Sequence, residues 1–570
     1  MSRGDGPLST VRPEAALPPH QALTTVRRLI LFLLLFALVL IGASGLSGLL
    51  GRVFPSGSTL AERDDGGLAR WLAFALVGGT LAAILWWAVW RRLRERGERD
   101  SLAWALYIAG VYAVALVTFV ASLLGLLSSV IRGNSQWQAA TAMGLVWGLV
   151  WAWHRRAWLH PAKGPGRLAG VPTVFGWVFG LLVGTGGALA ALGNLFDAVL
   201  QGFTGAQSVG EPWWVPVVQP LVWAAGGATV WWWHWVPGGG LHLRTGLADV
   251  AVAVAGILAG CILALAGTAA TLFVLLRLAF DRPDTAAQLL DPLGPALAAA
   301  AVGSVLWRYH AALAGHRSGA LRQASRLLPA GASLVAAASG VGVVVNAALG
   351  LAETTLAGTG TRTLLLGGLS ALAVGGPVWW QVWGPLHQRD VAPQRGQRIY
   401  LAVVFGISAV VALIALLAIG YQVFEHLLND TGRGSLLGRV RAPFGWLVAT
   451  GLVAAYHYSV WRREQAAPSA ESVPPPGDRV PLGRIGHVVL VTGSDPGPLC
   501  RAISGASGAA VTVWERTDAG AAAEGAKEPE PNELARAMQG LTCERVLVIV
   551  GWDGRFEIIP LTPPHATGFP

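Results

Sequence analysis

The sequence predicts an all-α integral membrane protein carrying a small C-terminal cytosolic α/β domain, and three observations predict it. Of the 570 residues, 54% are hydrophobic and 13% are charged, where soluble domains average about 25% charged. Apolar runs near the roughly 20 residues that a bilayer-crossing helix needs follow one another along most of the chain. A Trp-rich phrase ending in His or Arg returns about every 70–75 residues, the spacing of an internal array.

The phrase reads Trp86-Trp87-Ala88-Val89-Trp90-Arg91-Arg92, Trp151-Ala152-Trp153-His154-Arg155-Arg156 and Trp231-Trp232-Trp233-His234-Trp235. It returns as Trp307-Arg308-Tyr309-His310, Trp379-Trp380-Gln381-Val382-Trp383 and Tyr456-His457-Tyr458-Ser459-Val460-Trp461-Arg462-Arg463. About twelve spans precede and contain these phrases: 29–50, 68–90, 103–130, 137–153, 171–196, 213–235, 250–276, 293–307, 328–351, 363–383, 401–423 and 444–461. The run 293–307 is the shortest, and Leu289 and Leu290 can extend it. The spans pair into six two-helix hairpins at 26–95, 101–165, 168–242, 245–315, 322–390 and 396–463, after a disordered cytosolic tail over 1–25. In each pair the second helix ends in the aromatic phrase.

Loop charges set the orientation. Arg91, Arg92, Arg94, Arg96 and Arg99 follow the second span; Arg155, Arg156, Lys163 and Arg167 the fourth; Arg244 the sixth. Arg308, Arg317, Arg322 and Arg326 follow the eighth, and Arg389, Arg395 and Arg398 the tenth. Basic loops stay in the cytoplasm. The alternate loops carry acids such as Glu62, Asp64, Glu211, Asp284 and Asp430, with Arg433, Arg439 and Arg441 as exceptions. An even number of spans then leaves both termini cytoplasmic and all hairpins parallel, in the inner (plasma) membrane of a cell. Trp and the residues beside it suit the headgroup level, so Trp90, Trp153, His154, Trp233, His234, Trp307, Trp379, Trp383 and Trp461 are expected as interfacial anchors. The net charge of +10 sits in short loops rather than on one face of a soluble domain. That argues against nucleic acid and for contact with the bilayer and its anionic headgroups.

Several of these phrases resemble a known family. Gly376-Pro377-Val378-Trp379-Trp380-Gln381-Val382-Trp383, supported by Trp153-His154-Arg155-Arg156 and by the opening Arg398-Ile399-Tyr400-Leu401, is similar to a bacterial membrane family catalogued as domain of unknown function 5671, in several tandem copies. The resemblance implies a multi-pass bacterial membrane protein and brings no activity with it.

Ionisable groups held inside a bilayer mark ion or substrate paths, and the spans are nearly without them. Among polar span residues, Asn194 and Asn346 stand out, each late in the first helix of its hairpin. They read either as helix-packing amides or as the lining of one intramembrane polar site. His154, His234, His310 and His457 recur at one edge; imidazoles there can anchor at the interface, bind metal or respond to pH, and anchoring is the expectation. Glu425-His426 lacks a nucleophile, so no catalytic, cofactor or metal residues are assigned.

Past Trp461 the composition changes. A Pro-rich linker over 464–482 leads to a soluble α/β domain over 483–562. Strands are expected at 488–491, 510–514, 545–550 and 556–560, and helices at 496–504 and 532–539, with an Asp553-Gly554 turn. The Thr492–Pro498 loop lacks the Lys and spaced glycines of phosphate-binding loops, leaving Ser494 or Asp495 as helix cap. Cys500 and Cys543 form a redox pair only where the fold joins them. The expected role is a non-enzymatic scaffold or sensor coupled to this domain and its cytosolic protein partner. The alternative is a transporter or pore for a neutral or lipid-like molecule.

Overall fold

The computed structural model describes residues 19–54, 65–133, 137–204, 212–280, 285–353, 359–387, 395–428, 435–466, 485–493, 495–516, 530–538, 541, 543, 545–551 and 553–561. The first eighteen residues of the tail, the linker from 467 to 482, Ser494, the loop 517–529, Arg389, Arg433 and the acids Glu62, Asp64, Glu211, Asp284 and Asp430 lie outside them. The chain divides into two compact units, Met1–Ala466 and Ala467–Pro570.

The first unit is helical. Its long helices are α1 (Pro19–Val53), α2 (Gly66–Arg92, with a π-helical turn at Phe74–Gly78), α3 (Leu102–Ile131), α4 (Trp137–Trp158), α5 (Val171–Thr204) and α6 (Val215–Trp235). They continue as α7 (Gly246–Phe280, with a π-helical turn at Val252–Leu258), α8 (Leu293–Ala314), α9 (Gly319–Glu353), α10 (Thr359–His387), α11 (Arg395–Leu428) and α12 (Leu436–Ala466). Among the described residues, nine helices are long and apolar enough to cross a membrane. The other three fall short in mean hydropathy: α4 and α12 carry Trp with Arg, and α6 carries five Trp with two Pro and a Gln. The expected tail over 1–25 is shorter, because α1 starts at Pro19. The run 293–307 is not short either: α8 carries on through the Trp-Arg-Tyr-His phrase to Ala314 and follows a capped turn at Ala286–Leu290.

Consecutive helices pair, and small residues explain how closely. A Cβ placed on Gly180, Gly184 or Gly187 of α5 would meet backbone at Trp231, Ala228 or Ala224 of α6. Number rises on one helix as it falls on the other, so the pair is antiparallel. The same holds for Gly42 and Gly45 against Gly79 and Ala75, for Gly260 and Gly267 against Trp307 and Ala300, and for Gly340 and Gly375 against Leu372 and Ala337, while Gly48 makes room for the Trp71 ring. Backbones this close need residues without side chains at the contact. Beyond its own hairpin, each first helix also packs on the second helix of the next: α1 on α4, α3 on α6, α5 on α8, α7 on α10 and α9 on α12. The first, third and fifth of these contacts are the more extensive.

Polar ties close one end. Arg317, with its side chain 1% exposed, donates to the carbonyls of Gly240 and Leu241 at 3.1 and 2.9 Å and to Asp249 at 3.2 Å. Arg28 pairs with Glu98 at 3.1 Å, joining α1 to the segment after α2.

The second unit holds a four-stranded sheet in the order β2-β1-β3-β4, from β1 (His487–Thr492), β2 (Ala510–Glu515), β3 (Arg545–Val550) and β4 (Phe556–Leu561). β1 runs parallel to β2 and β3, and β4 is antiparallel to β3 across the Asp553-Gly554 turn, where Gly554 takes φ 75°. Helices α13 (Pro496–Ser507) and α14 (Pro531–Met538) contribute Leu499, Ile503, Leu534 and Met538 to a core with Val488, Leu490, Val546 and Val548. Asp495 caps α13 by accepting from the Gly497 amide at 3.0 Å. Cys500 and Cys543 border this core as free thiols. Burial, then the nearby Asp495 carboxylate, push the Cys500 thiol pKa up, which disfavours the thiolate that redox chemistry uses.

Candidate functional site

The aromatic phrase divides by helix face. Residues four apart share a face, and Trp231 and Trp235 turn inward while Trp232 and Trp233 stay 49% and 40% exposed. Likewise Trp383 is fully buried and Trp380 is 62% exposed. The outward set therefore includes Trp153, Trp233 and Trp461, whereas Trp90, Trp307, Trp379 and Trp383 pack against hydrophobic clusters. The histidines depart from the anchoring expectation. His154, His234, His310 and His457 are 3%, 4%, 1% and 1% exposed.

The inward faces meet in boxes, with the outward Trp153 at the edge of the first. Trp86 and Trp90 of α2 pack on Trp153 and His154 of α4, with the Trp86 and His154 rings 5.3 Å apart. Trp231 and Trp235 of α6 pack on Tyr309 and His310 of α8, and the Trp235 indole donates to the Tyr309 hydroxyl at 2.8 Å. Trp379 and Trp383 of α10 pack on Tyr456 and His457 of α12, and the Trp383 indole donates to the Tyr456 hydroxyl at 3.0 Å. Each box joins the second helices of two successive hairpins. Sequence reading missed it because it took all rings of the phrase together; the signal was the four-residue Trp spacing.

All four imidazoles are held alike. Each Nδ1 lies 2.8–2.9 Å from the carbonyl four residues earlier, at Val150, Val230, Leu306 and Val453. A carbonyl only accepts, so Nδ1 carries the hydrogen and the neutral ring offers Nε2 as an acceptor. The Tyr107 hydroxyl meets Nε2 of His154 at 3.0 Å, and the Tyr112 hydroxyl meets that of His234 at 2.7 Å. The rings of His234 and His310 occupy the space beside Gly176 and Gly256, where a Cβ would collide with them. Among the described residues, no group of three His, Cys, Asp or Glu is placed to hold a metal. Glu425 pairs with Arg439 at 3.7 Å.

Asn194 and Asn346 have different neighbours. Pro220 sits inside α6 and brings no N–H, which deprives the Pro216 carbonyl of its helical donor. Asn194 Nδ2 supplies one at 2.6 Å. Asn194 also lines a polar-edged cavity of about 550 Å³ with Arg132, Gln219 and Trp223. Asn346 packs beside Gly445 of α12, its Oδ1 buried without a protein partner. Replacing Asn194 by Leu is expected to lower stability by about 0.5–1.5 kcal/mol, the net worth of one hydrogen bond. Thermal melting in detergent checks it, and adding Pro220→Ala, which restores the missing N–H, is expected to recover most of the loss.

Neither the curated proteins nor the solved structures yield a match. A family model described as a domain of unknown function, DUF5671, matches residues 28–153 and 323–452. The first match runs from α1 into α4 and the second from α9 into α12; the first takes in Trp86, Trp90 and Trp153 of its aromatic box, and the second Trp379 and Trp383 of its own. Residues 28–153 and 323–452 thus match the DUF5671 family model as two separate regions of this chain.

Proposed function

We propose that the chain is a multi-pass protein of the cell inner membrane with twelve spans, arranged as six parallel hairpins with both termini in the cytoplasm. Its hairpins group in pairs, and the middle pair, α5–α8, is a third and diverged unit. In the unmatched middle a Trp-x-x-x-Trp face packs on an aromatic–His pair, as do the Trp-x-x-x-Trp faces that lie inside the two family matches, which supports this grouping. Its role is that of a non-enzymatic scaffold or sensor, in which the helix array holds the C-terminal unit at the membrane for a cytosolic protein partner. One observation carries this reading: a rigid array packed backbone to backbone, followed by a second compact unit with its own core. A transporter for a neutral or lipid-like molecule is the second reading, favoured by the polar-edged cavity at Asn194.

Two measurements test the proposal. A reporter enzyme active only outside the cytoplasm is expected to stay silent when fused after Pro570, and strong activity would overturn the orientation. After crosslinking in cells, a defined protein is expected to co-purify with the full chain and to be lost when the chain is cut after Ala466. Partner recovery that ignores the cut, or saturable solute flux into proteoliposomes, would remove the scaffold reading.

A further inference from the structure

The cavity beside Asn194 is a groove that changes character along its length. Its α5 wall is a ridge of residues four apart, Leu182, Gly186, Ala190 and Asn194. That ridge covers about 18 Å at roughly 1.5 Å per residue, close to one leaflet's share of a hydrocarbon core about 30 Å thick. The end toward Leu182 is apolar, and the mouth holds Arg132, Gln219 and Asn194. Gly186 keeps the groove open, since nothing lies within 4 Å of a Cβ there. Trp213 and Trp214, 62% and 43% exposed just before α6, suit the headgroup level and put the mouth there.

Two ties hold α3 against α6 at this mouth. The Trp223 indole donates to the Ser128 hydroxyl at 3.0 Å, and one turn further out Arg132 Nε and Nη2 donate to Gln219 Oε1 at 3.0 and 2.7 Å. The second tie uses two of the five guanidinium N–H groups and leaves the rest of that edge open. Arg132 is exposed and Gln219 only half-buried, so both are within reach of a ligand in the groove. None of the described side chains lining the groove is acidic, and the cation has no counter-charge there. We propose that the groove holds a phospholipid of net negative charge, with its phosphate on the open edge of Arg132 and one acyl chain along the α5 ridge. Phosphate oxygens match the paired N–H donors of a guanidinium. A choline or ethanolamine head brings a second cation that meets no acid in the groove. A glycerol head brings hydroxyls instead, which Asn194 Oδ1 accepts while its Nδ2 stays bonded to Pro216. The inference rests on the membrane-embedded reading and requires neither transport nor a role for the C-terminal unit.

The test uses the full chain in phosphatidylcholine nanodiscs and two probes with a diazirine in one acyl chain, one with a phosphatidylglycerol head and one with a phosphatidylcholine head. The glycerol probe is expected to label peptides spanning 182–194 and 216–223 saturably, and the choline probe about tenfold less, as befits a charge-assisted contact. Unlabelled phosphatidylglycerol is expected to compete, and inorganic phosphate at the same concentration is not. Arg132→Gln, whose side chain still reaches Gln219, is expected to erase the preference for the glycerol probe. Gly186→Leu fills the groove where a Cβ meets nothing and is expected to abolish saturable labelling; if that variant does not fold, Arg132→Gln decides. Equal labelling of the parent by the two probes, a preference that survives Arg132→Gln, labelling unchanged in Gly186→Leu, or displacement by phosphate alone overturns the proposal. Exposed Leu413 and Leu417 of α11 report the bilayer: both probes are expected to label them weakly and without saturation. Absence of any label there would overturn the membrane reading and this inference with it.

Discussion

Gly227→Leu is expected to pry α5 from α6 and to cost about 3 kcal/mol or more, beyond the usual penalty of an overfilled core. A Cβ at Gly227 would strike the backbone of Gly184 and the carbonyl carbon of Val183. No flexible side chain is there to yield, so the helices themselves must separate. That separation also reaches α8, because α5 packs on it and the Trp231–Tyr309 contact bridges the same hairpins. Fluorescence-detected melting of the purified protein should show a large drop, with loss of monodispersity on size exclusion. Gly186→Ala is the matched control. Nothing lies within 4 Å of a Cβ there, so the better helix former is expected to leave stability unchanged or raise it by up to about 1 kcal/mol. If Gly227→Leu melts like the parent, the close helix approach is not what holds this hairpin.

Trp383→Ala is expected to cost about 3–5 kcal/mol, the range for truncating a large buried aromatic. Trp383 is fully buried, packs its ring 5.0 Å from Tyr400 and bonds Tyr456 across the hairpin boundary. Trp380, three residues earlier on the same helix, is 62% exposed, and its removal is expected to stay within about 0.5 kcal/mol. The pair separates two uses of tryptophan that a shared phrase conceals. Were Trp380→Ala as damaging as Trp383→Ala in detergent, the division of the phrase into inward and outward faces would fail.

Much of the architecture was legible. The apolar runs located the helices, since length and lack of charge suffice for that, and the alternation of β-branched residues with Gly, Pro and Asp placed all four strands and both helices of the C-terminal unit. Burial of the histidines was harder to see. His154 sits next to Arg155 and His310 two places after Arg308 in sequence, which suggests a wet boundary, but each step along a helix turns the side chain by about 100°. The Asn194 bond was readable only in part: Pro220 announces an orphaned carbonyl at Pro216, yet nothing local says which residue, twenty-two positions back, answers it. The boxes and the groove depend on helices from different hairpins, and their register is set by where glycines allow backbones to meet.

The offset contact, in which each first helix rests on the second helix of the following hairpin, has a bearing on biogenesis. A hairpin released into the membrane during synthesis is only half covered until its successor emerges, so α1 must wait for α4, and α9 for α12. Because the more extensive contacts fall within pairs of hairpins and the thinner ones between them, assembly is expected to proceed in steps of four helices. A ribosome stalled after an odd hairpin leaves an unshielded helix face, and one stalled after an even hairpin leaves a finished block. Quality control that reads exposed helix surface would then see this protein as complete three times before translation ends.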